Sequence, residues 1–197
     1  ASTLPSGPPA DTRWVDSPAA LTALVADLHE KLTKGGITRS YIDTEADSLH
    51  HYSEKLCLIQ LAMDGIFALI DTLSVGDLSE LLTLLEKTEI WLHGADYDLT
   101  LLKRTYGWSP SRICDTQIAA RLCGERPFGL AALVERHCGV VLCKSSQKAD
   151  WSQRPLSAKM QAYAIDDVRY LGRLADIFIR ELTRRKRLAW FEQSCGT

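Results

Sequence analysis

Residues 56–70 read Leu-Cys-Leu-Ile-Gln-Leu-Ala-Met-Asp-Gly-Ile-Phe-Ala-Leu-Ile and give the strongest structural signal in the chain. Two apolar runs rich in β-forming residues, 56–63 and 66–70, are joined by Asp64-Gly65, a dipeptide typical of a two-residue hairpin turn. A further apolar strand is predicted upstream, at 39–45. Together the three segments predict an antiparallel run of three strands.

Helical patterns lie on both sides of this hairpin. Ser17-Pro18 offers an N-cap and a first-turn proline, and the leucines that follow recur at helical spacing up to Gly35-Gly36. After the hairpin, helix and strand alternate. A strand is predicted at 89–93, and helices are predicted at 78–85, 96–106, 116–122, 130–137 and from 157 towards 190. This order predicts an α/β fold in which a mixed sheet is flanked by helices.

Length and composition bound the class of protein. The 197 residues suit one domain with a sizeable core, and 46% hydrophobic with 24% charged residues is ordinary for a globular chain. No apolar run approaches the roughly 20 residues that span a bilayer. Residues 1–12 are rich in Pro, Ser and Gly and lack the regions of a signal peptide, so they are predicted to be a flexible lead-in. We expect a cytoplasmic protein without a membrane partner.

The net charge of −2 does not by itself indicate a nucleic-acid partner. An active site built from acids that hold metal ions would give the same balance. Basic residues do cluster near the C-terminus, for which a solvated helix face and a phosphate-binding surface are both open interpretations. They are Arg180, Arg184, Arg185, Lys186 and Arg187.

Six cysteines raise the question of disulfides or a zinc site. They contain no Cys-x-x-Cys pair, and most lie inside apolar segments, so we expect buried free thiols in a reducing compartment. They are Cys57, Cys114, Cys123, Cys138, Cys143 and Cys195.

Acidic residues at element ends are the candidate chemistry. Asp43 and Glu45 are two apart in a predicted strand, so they share one face. Adjacent carboxylates raise each other's pKa unless a cation lies between them. Tyr163 and Asp167 are four apart in a predicted helix and therefore share a helix face. Asp98 falls in the first turn of the helix after the strand at 89–93, where the helix dipole favours an acid. Each feature alone also fits an ordinary surface.

The order of these motifs resembles a known family. Asp43-Thr44-Glu45, then His93-Gly-Ala-Asp-Tyr-Asp98-Leu, then Tyr163-x-x-x-Asp167 look like the three exonuclease motifs of ribonuclease D, a family of 3′–5′ exonucleases with four acids and a tyrosine. The resemblance extends over about 14–182. Intervening segments resemble family segments in the same order: Leu58-Ile-Gln-Leu61, Asp115-Thr-Gln117, Gly129-Leu130 and Gln147-Lys-Ala-Asp-Trp-Ser-Gln-Arg-Pro-Leu156.

The resemblance implies a ribonuclease H-like fold and two divalent metal ions. By motif position, Asp43, Glu45 and Asp167 would bind the first ion. Asp43 would bridge to the second, Asp98 would support it, and Tyr163 would position the attacking water. Mg²⁺ or Mn²⁺ suits an all-carboxylate site, whereas zinc would prefer cysteine and histidine. The implied domains are 1–12 (flexible segment), 13–182 (exonuclease domain) and 183–197 (helical extension).

Further residues are candidates for substrate contact. Thr44, Leu49, His50, His93 and Lys148 lie in or near the motifs, and aromatic or basic side chains there would contact an unpaired base or a phosphate. For His93 a structural role is the stronger alternative, and the loop at 48–52 fits a plain polar loop equally well.

Trp151 is expected to pin its loop to the core, while the roles of Lys144, Lys148 and Arg154 around it are open. The aromatic residues of Leu188-Ala-Trp-Phe191 either meet a partner or fold back onto the core.

The predicted function is therefore a metal-dependent 3′–5′ exoribonuclease acting on single-stranded RNA 3′ ends and releasing nucleoside 5′-monophosphates. Two alternatives remain: an exonuclease for DNA or short oligonucleotides, and a nucleic-acid-binding module without catalysis. Ribonuclease D proteins often have C-terminal helical domains that help to bind RNA, so transfer RNA trimming is not predicted. The sequence does not predict an oligomeric state.

Overall fold

The computed structural model describes residues 11–47 and 54–195. At its centre is a six-stranded sheet in the order β1-β4-β3-β2-β5-β6. Its strands are β1 (Arg13–Val15), β2 (Arg39–Asp47), β3 (Lys55–Met63), β4 (Ile66–Asp71), β5 (Glu89–Leu92) and β6 (Ile113–Asp115).

Strands β2, β3 and β4 are antiparallel neighbours, and β5 and β6 continue the sheet in parallel beyond β2. The predicted α/β class, hairpin and mixed sheet are therefore confirmed. Asp64 and Gly65 form the turn with φ of 41° and 79°, in the left-handed region that their residue types tolerate. Strands β1 and β6 were not predicted, because each has three residues, too few to show an alternating pattern.

The helices are arranged on both faces of the sheet. Ser17 caps the first of them, its hydroxyl accepting a hydrogen bond from the amide of Ala20 at 3.2 Å. The helices are α1 (Pro18–Thr33), α2 (Ser79–Leu85), α3 (Ala95–Tyr106), α4 (Thr116–Leu122), α5 (Leu130–Cys138), α6 (Ala158–Arg169), α7 (Leu171–Arg184) and α8 (Leu188–Cys195).

The helical stretch predicted from 157 towards 190 is three helices, not one. The first break is at Tyr170 and the second includes Lys186, whose φ is 57°. Apolar spacing continues across both breaks, so the sequence pattern does not reveal them. α7 packs closely on the sheet: a Cβ on Gly172 would lie 3.0 Å from Cζ of Tyr41, so a larger residue would not fit there without a shift.

Strand alternation divides the core into two sides. Ile42, Ile59 and Leu61 face α1, α2 and α3, whereas Leu58 packs towards α6 on the other side. Tyr41 also packs towards this second side. Asp43 and Glu45 continue the alternation of Tyr41 and therefore project towards α6.

The C-terminal aromatic residues have different fates. Phe191 is buried and stacks on Trp91, with 5.6 Å between ring centroids, whereas Trp190 is 58% exposed. The fold-back interpretation thus describes Phe191 alone.

All six cysteines are free. Three are buried and two are half-buried, but Cys143 is exposed, contrary to the expectation of buried thiols. The compartment in which they stay reduced remains a prediction.

Within the described residues, none of the helices combines the length and apolar character needed to cross a bilayer. The cytoplasmic location inferred from the sequence stays a prediction.

Candidate metal centre and active-site cleft

Three carboxylates meet where β2 faces α6. One oxygen from each of Asp43, Glu45 and Asp167 lies within 4.8 Å of the others. The first two share a face of β2, and the third projects from α6, which packs on β2 and β3. The cluster joins residues more than 120 positions apart in the chain, so it depends on the fold rather than on local sequence.

Asp98 is the fourth acid and lies beside this group. It is 4% exposed in the first turn of α3, where the helix dipole favours a negative charge. Its carboxylate accepts a hydrogen bond from the hydroxyl of Thr44. Because strand alternation turns Thr44 away from Asp43 and Glu45, this hydroxyl is directed to α3 rather than to the three-acid cluster. Asp98 is not among the three residues whose oxygens all lie within 4.8 Å.

Burial raises the pKa of all four acids, and repulsion among them adds to this effect at Asp43 and Glu45. Burial, followed by repulsion from Asp167, Asp98 and Glu45, holds the pKa of Asp43 well above its usual value. Burial and repulsion from Asp167 and Asp98 raise the pKa of Glu45 to about 9. Burial is also the main reason why the pKa of Asp167 rises to about 7.

No ion pair within the described part of the chain gives these acids a Lys or Arg partner. A divalent cation would offset this repulsion, and an all-oxygen donor set suits the hard cations Mg²⁺ and Mn²⁺. The residues present therefore fit a metal centre.

Tyr163 forms one wall of the cleft beside the acids. It lies one helical turn before Asp167 on α6 and is half-buried. Burial raises its pKa, and the charges of Asp167, Glu45 and Asp43 raise it further. The phenol therefore stays protonated at neutral pH and is a hydrogen-bond donor towards the cleft.

Two residues that support the acids had no role assigned from the sequence. Gln60 is fully buried opposite Asp43 on β3, and its Nε2 donates to Oε1 of Glu45 at 3.3 Å. Its Oε1 has no hydrogen-bond partner among the described residues. Gln60 belongs to Leu58-Ile-Gln-Leu61, one of the segments that resemble the family. The sequence marked this residue but did not show that its partner is Glu45.

Asp115 ties two helix starts together. Its carboxylate accepts from the amides of Gly94 at 3.0 Å and Ala95 at 2.8 Å, and it also caps α4 through the amide of Gln117 at 2.7 Å. The bonds to Gly94 and Ala95 fix the start of α3 and thereby the position of Asp98. Gly94 is the N-cap of α3, and Asp96 is exposed within its first turn.

His93 is engaged within the protein at both ring nitrogens. Nδ1 is 2.8 Å from the hydroxyl of Thr116, and Nε2 is 3.0 Å from the carbonyl oxygen of Phe128. Burial lowers the pKa of the imidazole. These contacts favour the structural alternative for His93 over contact with substrate.

Two hollows extend from the acids in different directions. One, of about 520 Å³, is lined by Thr44, Glu45, Tyr97, Lys148 and Trp151. The other, of about 370 Å³, is lined by Leu130, Lys144, Tyr163 and Asp167. Gln147 borders both, so they form one cleft with the acids between its two parts. Leu49 and His50 lie outside the described residues.

The basic residues near Trp151 differ in their surroundings. Arg154 is built into the structure: its Nη2 donates to Oδ1 of Asp71 and to the carbonyl oxygen of Cys57, each at 2.8 Å. Lys144 and Lys148 are exposed along the cleft. Of the three cations, only these two are positioned to meet a ligand.

Comparisons with known proteins agree with this geometry. Residues 12–183 match the family described as 3′–5′ exonuclease. The protein named Ribonuclease D from Xanthomonas oryzae pv. oryzae is 36% identical over 183 residues, which cover 91% of this chain and 48% of that protein.

Two solved structures share the fold. RNase D from Escherichia coli, described as an exoribonuclease involved in structured RNA processing, has a TM-score of 0.84 at 31% identity and covers 93% of this chain and 48% of that one. The catalytic core of RRP6 from Trypanosoma brucei has a TM-score of 0.85 at 28% identity, over 94% and 50% of the two chains. The chain thus spans about half the length of the relatives that it matches.

Proposed function

We propose a function on one premise, that the chain belongs to the 3′–5′ exonuclease family. The resemblance to ribonuclease D and the ribonuclease H-like fold predicted from the motifs are thereby confirmed. The chain is a metal-dependent 3′–5′ exoribonuclease that hydrolyses phosphodiester bonds at single-stranded 3′ ends and releases nucleoside 5′-monophosphates. The observation that supports this activity is the meeting of Asp43, Glu45 and Asp167 at one point of the cleft. We propose residues 13–182 as its exonuclease domain and 183–197 as an extension, whose described part starts within the end of α7 and contains α8.

The acids hold two divalent cations. Asp43, Glu45 and Asp167 would hold one of them, and Asp98, beside this group, would contribute to holding the other. When bound, such cations lower the pKa of a water and neutralise charge on the phosphoryl group. Mg²⁺ and Mn²⁺ are both compatible with these ligands. Thr44 keeps Asp98 in place through its hydroxyl, so its part in the site is to orient a ligand as well as to border the substrate.

Tyr163 orients the attacking water. Its raised pKa keeps the hydroxyl protonated, so the phenol donates a hydrogen bond and does not act as a base. The side chain lines the same hollow as Asp167, together with Leu130 and Lys144. Holding the nucleophile in line with the phosphorus in this way removes much of the entropic cost of the reaction.

RNA is the substrate that the relatives favour. The curated relative is named Ribonuclease D, and the Escherichia coli structure is described as an exoribonuclease. The terminal nucleotide lies in the hollow bordered by Thr44 and Lys148, where the exposed ammonium group faces a phosphate. Leu49 and His50, which follow β2 in the sequence, are proposed as contacts to the same nucleotide, and His93 holds the backbone at Phe128.

The test is hydrolysis of a 5′-labelled single-stranded RNA in the presence of Mn²⁺, with EDTA as the metal-free control. We expect a ladder of products shortened from the 3′ end, with no ladder for Asp43→Asn or Asp167→Asn. Asp176→Asn is the control, because Asp176 is an exposed acid that pairs with Arg39 and lines neither hollow of the cleft. It should keep its activity.

Other outcomes would assign the alternatives. Equal or faster hydrolysis of a DNA strand of the same sequence would indicate a DNA exonuclease, and hydrolysis limited to dinucleotides a short-oligonucleotide enzyme. RNA binding without hydrolysis under any divalent metal would indicate a binding module. Activity retained in Asp167→Asn would contradict the metal assignment itself.

A further inference from the structure

A third hollow, of about 820 Å³, opens next to the active-site cleft at the turn between α4 and α5. It is lined by Arg121, Arg126, Pro127 and Phe128, together with Leu122 and Glu125. We refer to it as the arginine hollow. Pro127 also lines the hollow of Tyr163 and Asp167, so the two adjoin at this residue.

The arginine hollow has two cations without an acidic partner. Arg121 and Arg126 are exposed, and no ion pair within the described ranges involves either of them. Glu125 does not neutralise them, because its carboxylate is bound by Arg136 and lies 2.8 Å from Nε2 of His137. The hollow therefore keeps its positive charge.

Its shape is held by the protein rather than by a ligand. The guanidinium group of Arg121 lies 5.2 Å from the centroid of the Phe128 ring, which limits its freedom before anything binds. The carbonyl oxygen of Phe128 is held by His93 at 3.0 Å, and the carbonyl oxygen of Arg126 accepts from Arg136 at 3.1 Å. Both ends of the turn are thus anchored.

The basic cluster near the C-terminus borders the same place. Arg187 donates to the carbonyl oxygen of Leu122 at 2.7 Å. Arg185 is close to Gly124: its Nη1 lies 3.7 Å from the position that a Cβ on Gly124 would take. Arg184 and Arg185 are paired with Glu181 on their own helix. The C-terminal residues therefore frame the hollow, while Arg121 and Arg126 supply its unpaired charge.

We propose that the arginine hollow binds the phosphate backbone of the single-stranded substrate on the 5′ side of the scissile bond. The inference rests on the proposed function, since a strand whose 3′ end lies at the acids must leave the cleft in one direction. The exit past Tyr163 and Pro127 leads to Arg121 and Arg126. The occupant is a polyanion of regular charge spacing, and its contacts are to phosphates, so the hollow contributes affinity without sequence preference.

The test compares the double variant Arg121→Ala/Arg126→Ala with the control Arg112→Ala/Arg173→Ala. The control removes two exposed arginines that line neither hollow. Binding of a labelled oligouridylate of about 12 nucleotides, a length within the range of single-strand sites, is measured by fluorescence anisotropy in EDTA at several salt concentrations. Thermal unfolding of both variants shows that each is folded.

We expect the double variant to bind roughly tenfold more weakly at low salt, as for the loss of two exposed ionic contacts. The slope of log K against log salt should become shallower by about 1.4, since each phosphate contact to a single strand contributes about 0.7. The control pair should keep the slope of the unmodified chain. An unchanged slope in the double variant, or an equal loss in the control pair, overturns the proposal.

Kinetics separate this inference from the proposed function. In the double variant, the ratio of KM for the long strand to KM for a dinucleotide should rise, because a dinucleotide does not reach the hollow. An unchanged ratio overturns the proposal. If the unmodified chain hydrolyses neither substrate, the proposed function fails, while binding in EDTA still decides whether the hollow holds the strand.

Discussion

The indole ring of Trp151 lies 5.9 Å from the phenol ring of Tyr163, measured between ring centroids, with 34° between the two planes. Trp151 is 2% exposed and precedes α6, the helix that contains both Tyr163 and Asp167. The residue expected to pin its loop therefore also supports the side chain that lines the cleft. The contact between the two rings therefore packs the loop and also sets the direction of the Tyr163 hydroxyl.

Replacing this support should affect turnover as well as stability. Trp151→Leu leaves space beside Tyr163, so we expect kcat to fall by roughly tenfold, since poor positioning of the tyrosine lowers the rate. The lost burial should also destabilise the fold by about 2–4 kcal/mol. Thermal unfolding and steady-state hydrolysis of labelled RNA measure the two effects.

The control for this prediction is Trp108→Leu. Trp108 is 6% exposed in the core on the other side of the sheet. A similar loss of stability without the loss of kcat is expected there. Trp151→Phe keeps a ring against Tyr163 and should recover most of the rate. Equal effects of Trp151→Leu and Trp108→Leu on kcat would reduce Trp151 to a packing residue.

Removal of the Tyr163 hydroxyl should slow the chemical step. In Tyr163→Phe we expect kcat to fall by roughly 10²-fold with little change in KM, the size of effect seen when one positioned hydrogen-bond donor is lost. The matched control is Tyr170→Phe, a half-buried tyrosine just beyond the end of α6. A normal kcat in Tyr163→Phe would remove the hydroxyl from the mechanism.

The clustered acids predict how the stability of the metal-free protein depends on pH. Folding raises the pKa of Glu45 to about 9 and that of Asp167 to about 7, from ordinary values of 4.5 and 3.8. The folded state thus binds more protons than the unfolded state between these limits. The free energy of unfolding should therefore decrease as pH rises from about 4 to about 9, because the proton-linked stabilisation is lost through this window.

Thermal unfolding in EDTA across this pH range measures the effect. Glu45→Gln should flatten the decrease in stability with pH, because glutamine does not titrate. Glu80→Gln, at an exposed position of α2, should leave the decrease unchanged. His93 has the opposite effect on stability, because burial lowers its pKa. This contribution is the same in all variants, so it cancels when they are compared. A metal-free melting temperature that rises with pH equally in the unmodified chain and in Glu45→Gln contradicts the electrostatic picture.

Local chemistry predicted much of this molecule. Asp64-Gly65 indicated the hairpin that aligns β3 with β4, and the spacing of Asp43 and Glu45 predicted their common face. The position of Asp98 followed from a strand end and a helix start. Such features depend on neighbours in sequence or on the period of one element, and both are visible in a linear pattern.

Features that depend on contacts between distant elements were not predictable in the same way. The bond from Thr44 to Asp98 exists because alternation sends this hydroxyl to the opposite side from its two acidic neighbours. The arginine hollow requires α4, the turn at 124–128 and the C-terminal residues to meet. The breaks at Tyr170 and Lys186 interrupt an apolar spacing that continues across them, so no spacing within 157–190 records them.

Gln60 supplies the last prediction. Its Nε2 donates to Glu45 at 3.3 Å, and this hydrogen bond lowers the pKa of the carboxyl against the effect of burial. In Gln60→Met the volume is nearly kept but the donor is lost, so Glu45 should be more often protonated and less well oriented. Because metal ligands depend on such supporting bonds, we expect the affinity for Mn²⁺ to fall by roughly tenfold or more.

The measurement is the rise in melting temperature on titration with Mn²⁺. A ligand that binds only the folded state raises the free energy of unfolding, and this increase grows with the logarithm of one plus the ratio of ligand concentration to Kd. Gln60→Met should need a correspondingly higher concentration for the same rise, and lower pH should widen the gap, because protons compete for Glu45. The control is Gln161→Met on α6, whose Nε2 donates to the carbonyl oxygen of Leu156 and not to an acid. If both variants titrate as the unmodified chain does, Gln60 is a core residue that happens to lie beside Glu45, and the metal affinity depends on the four acids alone.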